Sequence, residues 1–260
     1  MRLRLEEATG LPVELDTATC ELILGKGLNA PSYCVRKIRD LDGVWANPQD
    51  VKDGVAYRYT SGLWLAGDEA RWKAARVIYG IVVFAPGTVG GEYFKSSGQY
   101  HPIMAGNTMA TPEIYTVLQG IGHFLLQKSA PPYDEIEDAV LVEVRAGETF
   151  VVPPDYGHLQ INPGPDPLAF SYVVMDGMKG EYEPFRRRRG AIYYEMAGGR
   201  ERFVFNAQYG KKIPLRIVRT DQICQVPFLR GGVTYQKIRD RLADLGWLTD
   251  PAQFPATAGL

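Results

Sequence analysis

The sequence predicts a mainly β domain, built as a sandwich or small barrel of the jelly-roll kind. Short apolar segments rich in β-branched residues recur along the middle of the chain, and turn signals separate them. Glycine (28 residues) and proline (18 residues) are spread along the 260 residues, which favours many short strands joined by turns. Strands at this spacing are typical of antiparallel sheets packed face to face.

Six segments between residues 77 and 175 are predicted strands. Val77–Phe84 is an apolar, β-branched run that ends at Ala85-Pro-Gly87, and Leu168–Met175 closes the series. The four strands between them are Glu113–Leu118, His123–Gln127, Ala139–Val144 and Thr149–Val152. The Gly120-Ile-Gly122 turn indicates that the first two of these four form a hairpin.

The flanks predict extensions of this barrel. Ala191–Met196 and Arg202–Ala207 form a further strand pair, and Val233–Leu245 forms a helix that Gly246 ends. We therefore expect an N-terminal extension over residues 1–76, a barrel over residues 77–190, and a C-terminal extension of strand pair plus helix over residues 191–260.

Composition and charge exclude several classes of function. The net charge is −1, so no global field attracts nucleic acid or an anionic membrane. The longest apolar stretch, near Val77–Ala85, is too short to cross a bilayer, and Met1–Glu7 lacks the apolar run of a signal peptide. Cys20, Cys34 and Cys224 are odd in number and have no CxxC spacing, which indicates a reducing compartment. We expect a cytoplasmic protein that acts on a small molecule.

Two of the three histidines lie in motifs that suggest a metal site. His101 closes a Ser-Ser-Gly-Gln-Tyr-His segment, and Glu113-Ile-Tyr115 follows it. His158 follows a Pro-Pro-Asp-Tyr-Gly turn. Gln99 shares a strand face with His101, and Glu113 shares one with Tyr115. Two imidazoles and a carboxylate that converge in one pocket make a divalent metal site with positions open for substrate.

The third histidine, His123, is predicted to lie outside the pocket. Phe124 and Leu126 continue the inward face of the predicted hairpin, so the strand alternation turns His123 outward. We expect a surface or interface histidine.

Together these motifs resemble the cupin-type (archaeal-type) glucose-6-phosphate isomerases. The hallmarks of that family are Thr-x-Gly-His-x-His, Glu-x-Tyr, a Gly-x-Gly turn before Leu-Leu-Gln, and Val-Pro-Pro followed by His and, four residues later, Asn. The matching segments here are Ser96-Ser-Gly98-Gln99-Tyr-His101, Glu113-Ile-Tyr115, Gly120-Ile-Gly122, Leu125-Leu-Gln127 and Val152-Pro-Pro154 with His158 and Asn162. Val35-Arg36 also resembles a Val-Arg-Arg segment of the family, and the similarity covers residues 33–175.

The resemblance implies a cupin barrel, a homodimer and a bound divalent ion. Fe²⁺ is the expected ion, with Zn²⁺, Mn²⁺ or Ni²⁺ as alternatives. The implied metal ligands are His101, Glu113, His158 and Gln99. Gln99 departs from the family, which has histidine there, and a neutral amide is the weaker ligand.

Substrate contacts are expected from four further residues. Ser96 replaces a sugar-contacting threonine of the family, and Gly98 lies beside it. Lys95 is a candidate phosphate contact. Tyr172 could substitute for a family tyrosine, whose position Val174 occupies here.

Three other segments bear on the substrate. By the same counting Gly180 stands where the family has a histidine. Pro102–Pro112 is a longer loop than the family has and could act as a lid. The Arg186–Arg189 run is either solvated or grips a phosphate with alternate side chains.

The implied reaction is aldose–ketose isomerisation, most simply of glucose 6-phosphate to fructose 6-phosphate. Glu113 could act as metal ligand, general base or both, with Tyr115 beside it. A metal-assisted hydride shift would leave Glu113 purely a ligand. Two alternatives stay open: a cupin isomerase, epimerase or related enzyme acting on a different sugar or keto acid, and a non-catalytic sugar-binding cupin.

Overall fold

The computed structural model describes residues 1–198, 200–223, 226–255 and 260, so Cys224 lies outside the described residues. The strands are Arg2–Arg4 (β1), Val13–Asp16 (β2), Glu21–Leu24 (β3), Ser32–Lys37 (β4), Val55–Ser61 (β5), Val77–Phe84 (β6), Thr88–Val89 (β7), Glu92–Tyr93 (β8), Glu113–Gln119 (β9), Ile121–Lys128 (β10), Asp138–Arg145 (β11), Thr149–Val152 (β12), Tyr156–Ile161 (β13), Leu168–Met175 (β14), Tyr193–Glu195 (β15), Phe203–Phe205 (β16) and Leu215–Arg219 (β17).

Helices in the described part of the chain are short. The α-helices are Glu6–Thr9 (α1), Glu69–Ala75 (α2), Glu183–Arg187 (α3) and Tyr235–Arg239 (α4). The 3₁₀-helices are Ile38–Leu41, Pro48–Asp50, Ala207–Tyr209, Thr220–Gln222, Pro227–Leu229, Leu242–Leu248 and Pro251–Gln253. None of these helices has the length and apolarity needed to cross a bilayer.

Two β-sheets face each other and form a cupin jelly-roll barrel, as the sequence predicts. The larger sheet has the strand order β12-β9-β14-β6-β5-β4, and the smaller has the order β13-β10-β11-β17. Tyr115, Phe150 and Phe170 from the larger sheet meet Phe124 from the smaller sheet in the core between them. The ring centroids of Tyr115 and Phe124 lie 5.1 Å apart. These aromatic contacts hold the two sheets together.

The predicted hairpin at Gly120 is wrong, because β9 and β10 belong to different sheets. β9 pairs with β12 and β14, whereas β10 pairs with β11 and β13. Gly120 has φ +83°, a conformation that glycine adopts without strain, and it turns the chain from one sheet into the other. Phe124 therefore faces Tyr115 across the core and not along a shared ladder.

The outer faces of both sheets are covered by the chain's flanks. Leu15 of the small β1-β2-β3 sheet and Trp247 near the C-terminus pack with Tyr79 on the outside of the larger sheet. Ile192 and Tyr209 pack with Leu125 on the outside of the smaller sheet. The central strands of each sheet are therefore buried on both faces, whereas the edge strands β4 and β17 stay largely exposed.

Two local predictions need correction. His123 does point away from the barrel interior, but it is 3% exposed, because the β15-β16 pair covers it and Glu195 contacts its Nδ1 at 2.8 Å. The expected helix over Val233–Leu245 is reduced to α4, and a 3₁₀-helix continues through Gly246 instead of ending there.

The division into 1–76, 77–190 and 191–260 stays a prediction. Within the first range, β4 and β5 continue the larger sheet by pairing onto β6. Within the last range, β15 and β16 pair antiparallel, as expected for a strand pair, and β17 joins the smaller sheet parallel to β11.

Candidate metal centre and pocket

Three buried side chains from separate parts of the barrel meet at one point. His101 follows β8 in the chain, Glu113 is the first residue of β9, and His158 lies within β13. One ligand atom from each residue lies within 4.8 Å of the others. The Nε2 atoms of both imidazoles lie 3.2 Å from Oε2 of Glu113. The sequence prediction that these three residues share a site matches this placement.

Backbone pairing brings the two histidine segments together. The N–H of Gln99 donates to the carbonyl of His158 at 3.0 Å, and the N–H of His158 donates back to Gln99 at 2.9 Å. The N–H of Ser96 likewise donates to the carbonyl of Gln160 at 2.9 Å. This ladder aligns the Ser96–His101 segment with β13, so His101 and His158 emerge side by side.

Hydrogen bonds to backbone carbonyls set the orientation of both imidazoles. Nδ1 of His101 lies 2.7 Å from the carbonyl oxygen of Thr111, and Nδ1 of His158 lies 3.3 Å from that of Tyr156. A carbonyl oxygen only accepts, so each Nδ1 carries a hydrogen. In the neutral imidazole Nε2 then has a free lone pair, which is the form that binds a metal ion.

The donor set fits a divalent cation. Two Nε2 lone pairs face one carboxylate oxygen, and these atoms repel one another unless a positive charge lies among them. Oε2 of Glu113 has no hydrogen-bond partner among the described residues, although the side chain is buried. Burial raises the pKa of Glu113, but positive charge at the imidazoles of His101 and His158 outweighs burial and lowers the pKa to about 2; a bound cation would supply that positive charge instead. The carboxylate is therefore charged and able to bind a cation.

Gln99 lies at the edge of this cluster. Its amide Nε2 is 3.4 Å from Nε2 of His101, and its amide oxygen faces Gly180. A Cβ atom at position 180 would clash with that oxygen. A glutamine binds a metal through its oxygen, so ligation by Gln99 needs the amide to turn over.

A cavity of about 260 Å³ opens beside Glu113 and brings most of the predicted substrate contacts together. Ser96, Gly98, Tyr115 and Tyr172 all line it. The hydroxyl of Tyr172 donates to the carbonyl of Thr60 at 3.0 Å, so the ring is held rigidly in the wall.

Tyr115 connects the pocket to the histidines. Gln160 Nε2 donates to the Tyr115 hydroxyl at 2.8 Å, and that hydroxyl lies 3.2 Å from Nε2 of His158. Burial, together with the nearby Glu113 carboxylate, raises the pKa of Tyr115 well above its usual value. Tyr115 therefore stays protonated and keeps one hydrogen to donate.

Lys95 does not reach the pocket. Its side chain is 2% exposed, and its ammonium pairs with the buried carboxylate of Glu92. The rings of Trp45 and Tyr194 flank the ammonium, with centroids 5.5 Å and 5.0 Å away. Because β-strand side chains alternate, Lys95 points away from the cavity that Ser96 lines.

Two arginines of the Arg186–Arg189 run form ion pairs, and the other two are exposed. Arg187 and Arg188 both bind Asp134, each at 2.9 Å, and so tie α3 to the loop after β10. Neither one lines the cavity, and Arg186 and Arg189 are exposed.

Several residues that line the cavity were not predicted from the sequence. Gln160 could have been found, because it follows His158 by two residues on one strand face. Arg36, Tyr57 and Tyr182 also line the cavity. They come from β4, β5 and the segment before α3, and no local motif marks them as pocket residues.

A jelly-roll barrel in which two histidines meet a glutamate at the edge of the pocket defines this chain as a cupin. Residues 35–211 match the family described as "Glucose-6-phosphate isomerase (GPI)". The chain belongs to the glucose-6-phosphate isomerase family, a family of aldose–ketose isomerases, which confirms the resemblance seen in its motifs.

Individual relatives agree with this membership. The chain is 28% identical to a glucose-6-phosphate isomerase of Thermococcus litoralis over 65% of this chain and 78% of the relative. It is 28% identical to a putative glucose-6-phosphate isomerase 2 of Rhizobium meliloti over 68% of this chain and 81% of the relative. Among solved structures, an oxalate oxidase in complex with glycolate is similar over 45% of this chain and 50% of that chain, at 24% identity and a TM-score of 0.32. An overlap this partial says nothing about what the present chain binds.

Proposed function

We propose that this protein interconverts glucose 6-phosphate and fructose 6-phosphate with a divalent metal ion bound by His101, Glu113 and His158. The observation that carries the proposal is the charged Glu113 oxygen placed 3.2 Å from two imidazole nitrogens at the edge of the cavity. Gln99 is the proposed fourth, weaker ligand. Fe²⁺ is the first candidate ion, and Zn²⁺, Mn²⁺ and Ni²⁺ suit the same nitrogen and oxygen donors.

The side chains have separate tasks in this reaction. A divalent ion supplies a Lewis acid for the neighbouring carbonyl and hydroxyl oxygens of the open-chain sugar. Glu113 is the one carboxylate that lines the cavity among the described residues, so it is the group available to carry a proton between C1 and C2. A hydride shift between these carbons would instead leave Glu113 purely as a ligand.

Tyr115 and the cavity wall orient the substrate. The protonated Tyr115 hydroxyl can donate to a sugar oxygen beside Glu113, because Gln160 already donates to its oxygen atom. Ser96 offers a hydroxyl, and Gly98 lines the cavity at a point where a Cβ would meet Phe185. We further propose that the protein works in the cytoplasm as a homodimer, as its motifs imply.

Metal-dependent turnover tests the proposal. The purified protein is stripped with a chelator and reloaded with Fe²⁺, Mn²⁺, Zn²⁺ or Ni²⁺, and fructose 6-phosphate formation is followed. We expect turnover only after reloading, and His101→Ala should lose both bound metal and turnover. His123→Ala is the matched control, because His123 is a buried histidine that contacts Glu143 and Glu195 and not Glu113. Full turnover after chelation, or in His101→Ala, would contradict the mechanism.

A second candidate is isomerisation of a different sugar or keto acid. Gln99 and Gly180, where the family has histidines, favour this alternative, because they change the wall next to the proposed metal site. Turnover of unphosphorylated or carboxylated analogues with none of glucose 6-phosphate would establish it. Ligand-induced stabilisation without any turnover would instead indicate a sugar-binding protein.

A further inference from the structure

The cavity contains one cationic side chain among the described residues that line it, and that side chain is Arg36. Arg36 lies on β4, opposite Tyr57 of β5, which in turn is opposite Phe84 of β6. Residues directly opposite one another in a sheet share a face, and Phe84 lies in the core between the sheets. Arg36 therefore points inward, at the end of the larger sheet farthest from β9.

Arg36 has no ion-pair or hydrogen-bond partner among the described residues, although it is half-buried. Its neighbour Arg58 faces the other way and pairs with Glu21 at 3.6 Å. An arginine that enters a pocket without a carboxylate partner is desolvated at a cost, which a bound anion offsets.

Hydroxyl groups line the same cavity as this arginine, and the phenols of Tyr57, Tyr59 and Tyr182 lie close enough to interact with its charge. Tyr57, Tyr59, Ser61, Ser97 and Tyr182 line the same cavity. Burial raises the pKa of Tyr57 and of Tyr182, so both phenols stay protonated and can donate hydrogen bonds. A guanidinium fork with phenol donors beside it matches the oxygens of a phosphate monoester.

Tyr182 connects the two ends of the cavity. Tyr182 lines the cavity together with Arg36 and Glu113. A substrate with one anionic end and one carbonyl end can therefore lie past Tyr182, with the anionic end at Arg36 and the carbonyl end at Glu113.

We propose that Arg36 binds the phosphate group of the substrate and determines the preference for phosphorylated over unphosphorylated sugars. This inference rests on the proposed function for its substrate. It assigns the phosphate to Arg36 in place of the buried Lys95 and the Arg186–Arg189 run.

Kinetics with two substrates test the assignment. Arg36→Met should lower kcat/KM for glucose 6-phosphate by about 10- to 100-fold, the usual effect of losing hydrogen bonds to a charged group, mainly through KM. It should leave kcat/KM for unphosphorylated glucose unchanged. Arg36→Lys should recover part of the loss, because it keeps the charge and loses the fork. Arg39→Met is the matched control: Arg39 is 61% exposed, pairs with Asp53 and does not line the cavity.

Binding of inorganic phosphate, measured by calorimetry, separates this inference from the proposed function. Phosphate should bind the wild type and the Arg39→Met variant, and Arg36→Met should weaken its binding at least tenfold. If the wild type turns over no sugar phosphate yet binds phosphate through Arg36, the anion site stands and the proposed function fails. Three results would overturn the assignment. Arg36→Met could lower kcat/KM equally for both sugars, or phosphate could bind Arg36→Met as tightly as the wild type. The third is that acetate, and not phosphate, binds in a way that depends on Arg36.

Discussion

The buried pair of Lys95 and Glu92 gives the sharpest stability prediction. Their side chains are 2% and 1% exposed, and the ammonium is enclosed by the carboxylate and the rings of Trp45 and Tyr194. Lys95→Met removes the ammonium and leaves the Glu92 carboxylate buried. The N–H of Ala46, which donates to Oε2 of Glu92 at 2.8 Å, remains as a partner.

The expected loss is a large part of the protein's stability. Removing one partner of a buried ion pair lowers the free energy of unfolding by about 3–5 kcal/mol. Because the Ala46 hydrogen bond is retained, we expect a loss of about 3 kcal/mol for Lys95→Met. Glu92→Gln should cost a similar amount, because it leaves the ammonium of Lys95 unpaired. The double variant should cost about 1–3 kcal/mol less than the sum of the two, because neither charge is then left alone.

The pH dependence of Lys95→Met has a defined sign. Burial raises the pKa of Glu92 above its usual 4.5, and loss of the opposing Lys95 charge raises it further. When the pKa of a group is higher in the folded than in the unfolded protein, the group contributes most stability at pH values below its pKa in the unfolded protein. That contribution is lost as the pH rises through its pKa in the folded protein. The difference between wild type and Lys95→Met should therefore shrink as the pH falls towards 4.5.

Urea unfolding followed by circular dichroism, at about pH 8 and about pH 5, measures these free energies. The reasoning fails if Lys95→Met costs less than about 1 kcal/mol at the higher pH, since that is below the range for a broken buried pair. It also fails if the cost is the same at both pH values.

The remaining predictions concern the pocket and the outer layer. Glu113→Gln should lose bound metal and lower kcat by about 10²–10⁴-fold, and normal metal content by mass spectrometry would contradict this. Gly98→Ala should destabilise the protein by more than about 1 kcal/mol and raise KM, because φ is +73° and the new Cβ meets Phe185. Unchanged urea unfolding would refute that. Glu195→Gln should cost about 1.5–3 kcal/mol through its hydrogen bond to His123, and a melting temperature equal to that of the wild type would exclude it.

The sequence identified six strands of the two facing sheets, because each of the six is a local pattern, but it did not identify β4, β5 or β17. Val77–Phe84, Thr149–Val152 and Leu168–Met175 begin and end where they are predicted to. The pairing of β9 and β10 was mispredicted, because a hairpin and a corner between two sheets can have the same Gly-x-Gly signal. Only contacts with β11, β12, β13 and β14, which are distant in sequence, distinguish the two.

The burial of the outer face of the smaller sheet could not be predicted from the alternation of residues along a strand either. Strand alternation gave the direction of His123 correctly but not its environment. The covering layer comes from β15 and β16, about seventy residues later in the chain. A residue that faces outward from one sheet is exposed only when nothing else packs there, and strand periodicity carries no information about such a layer.

The meeting of His101, Glu113 and His158 could be predicted because their spacing reflects strand geometry, whereas the entry of Arg36 into the cavity could not. His101, Glu113 and His158 follow recognisable turns. Arg36 reaches the pocket because β4 pairs with β5, which places Arg36 beside Tyr57 on the face that lines the cavity. That position depends on the strand order of the whole sheet and on no feature near residue 36.

Two departures from the family that look independent in the sequence are adjacent in the structure. The motif resemblance implies histidines at positions 99 and 180, and the amide oxygen of Gln99 fills the space that a Cβ at position 180 would need. A side chain at 180 would displace the Gln99 amide, and the present orientation of Gln99 depends on the glycine. Because the amide nitrogen lies 3.4 Å from His101 Nε2, a change at either position also alters the environment of a proposed metal ligand. The two positions therefore act as one unit, and any effect on metal affinity or substrate choice belongs to the pair.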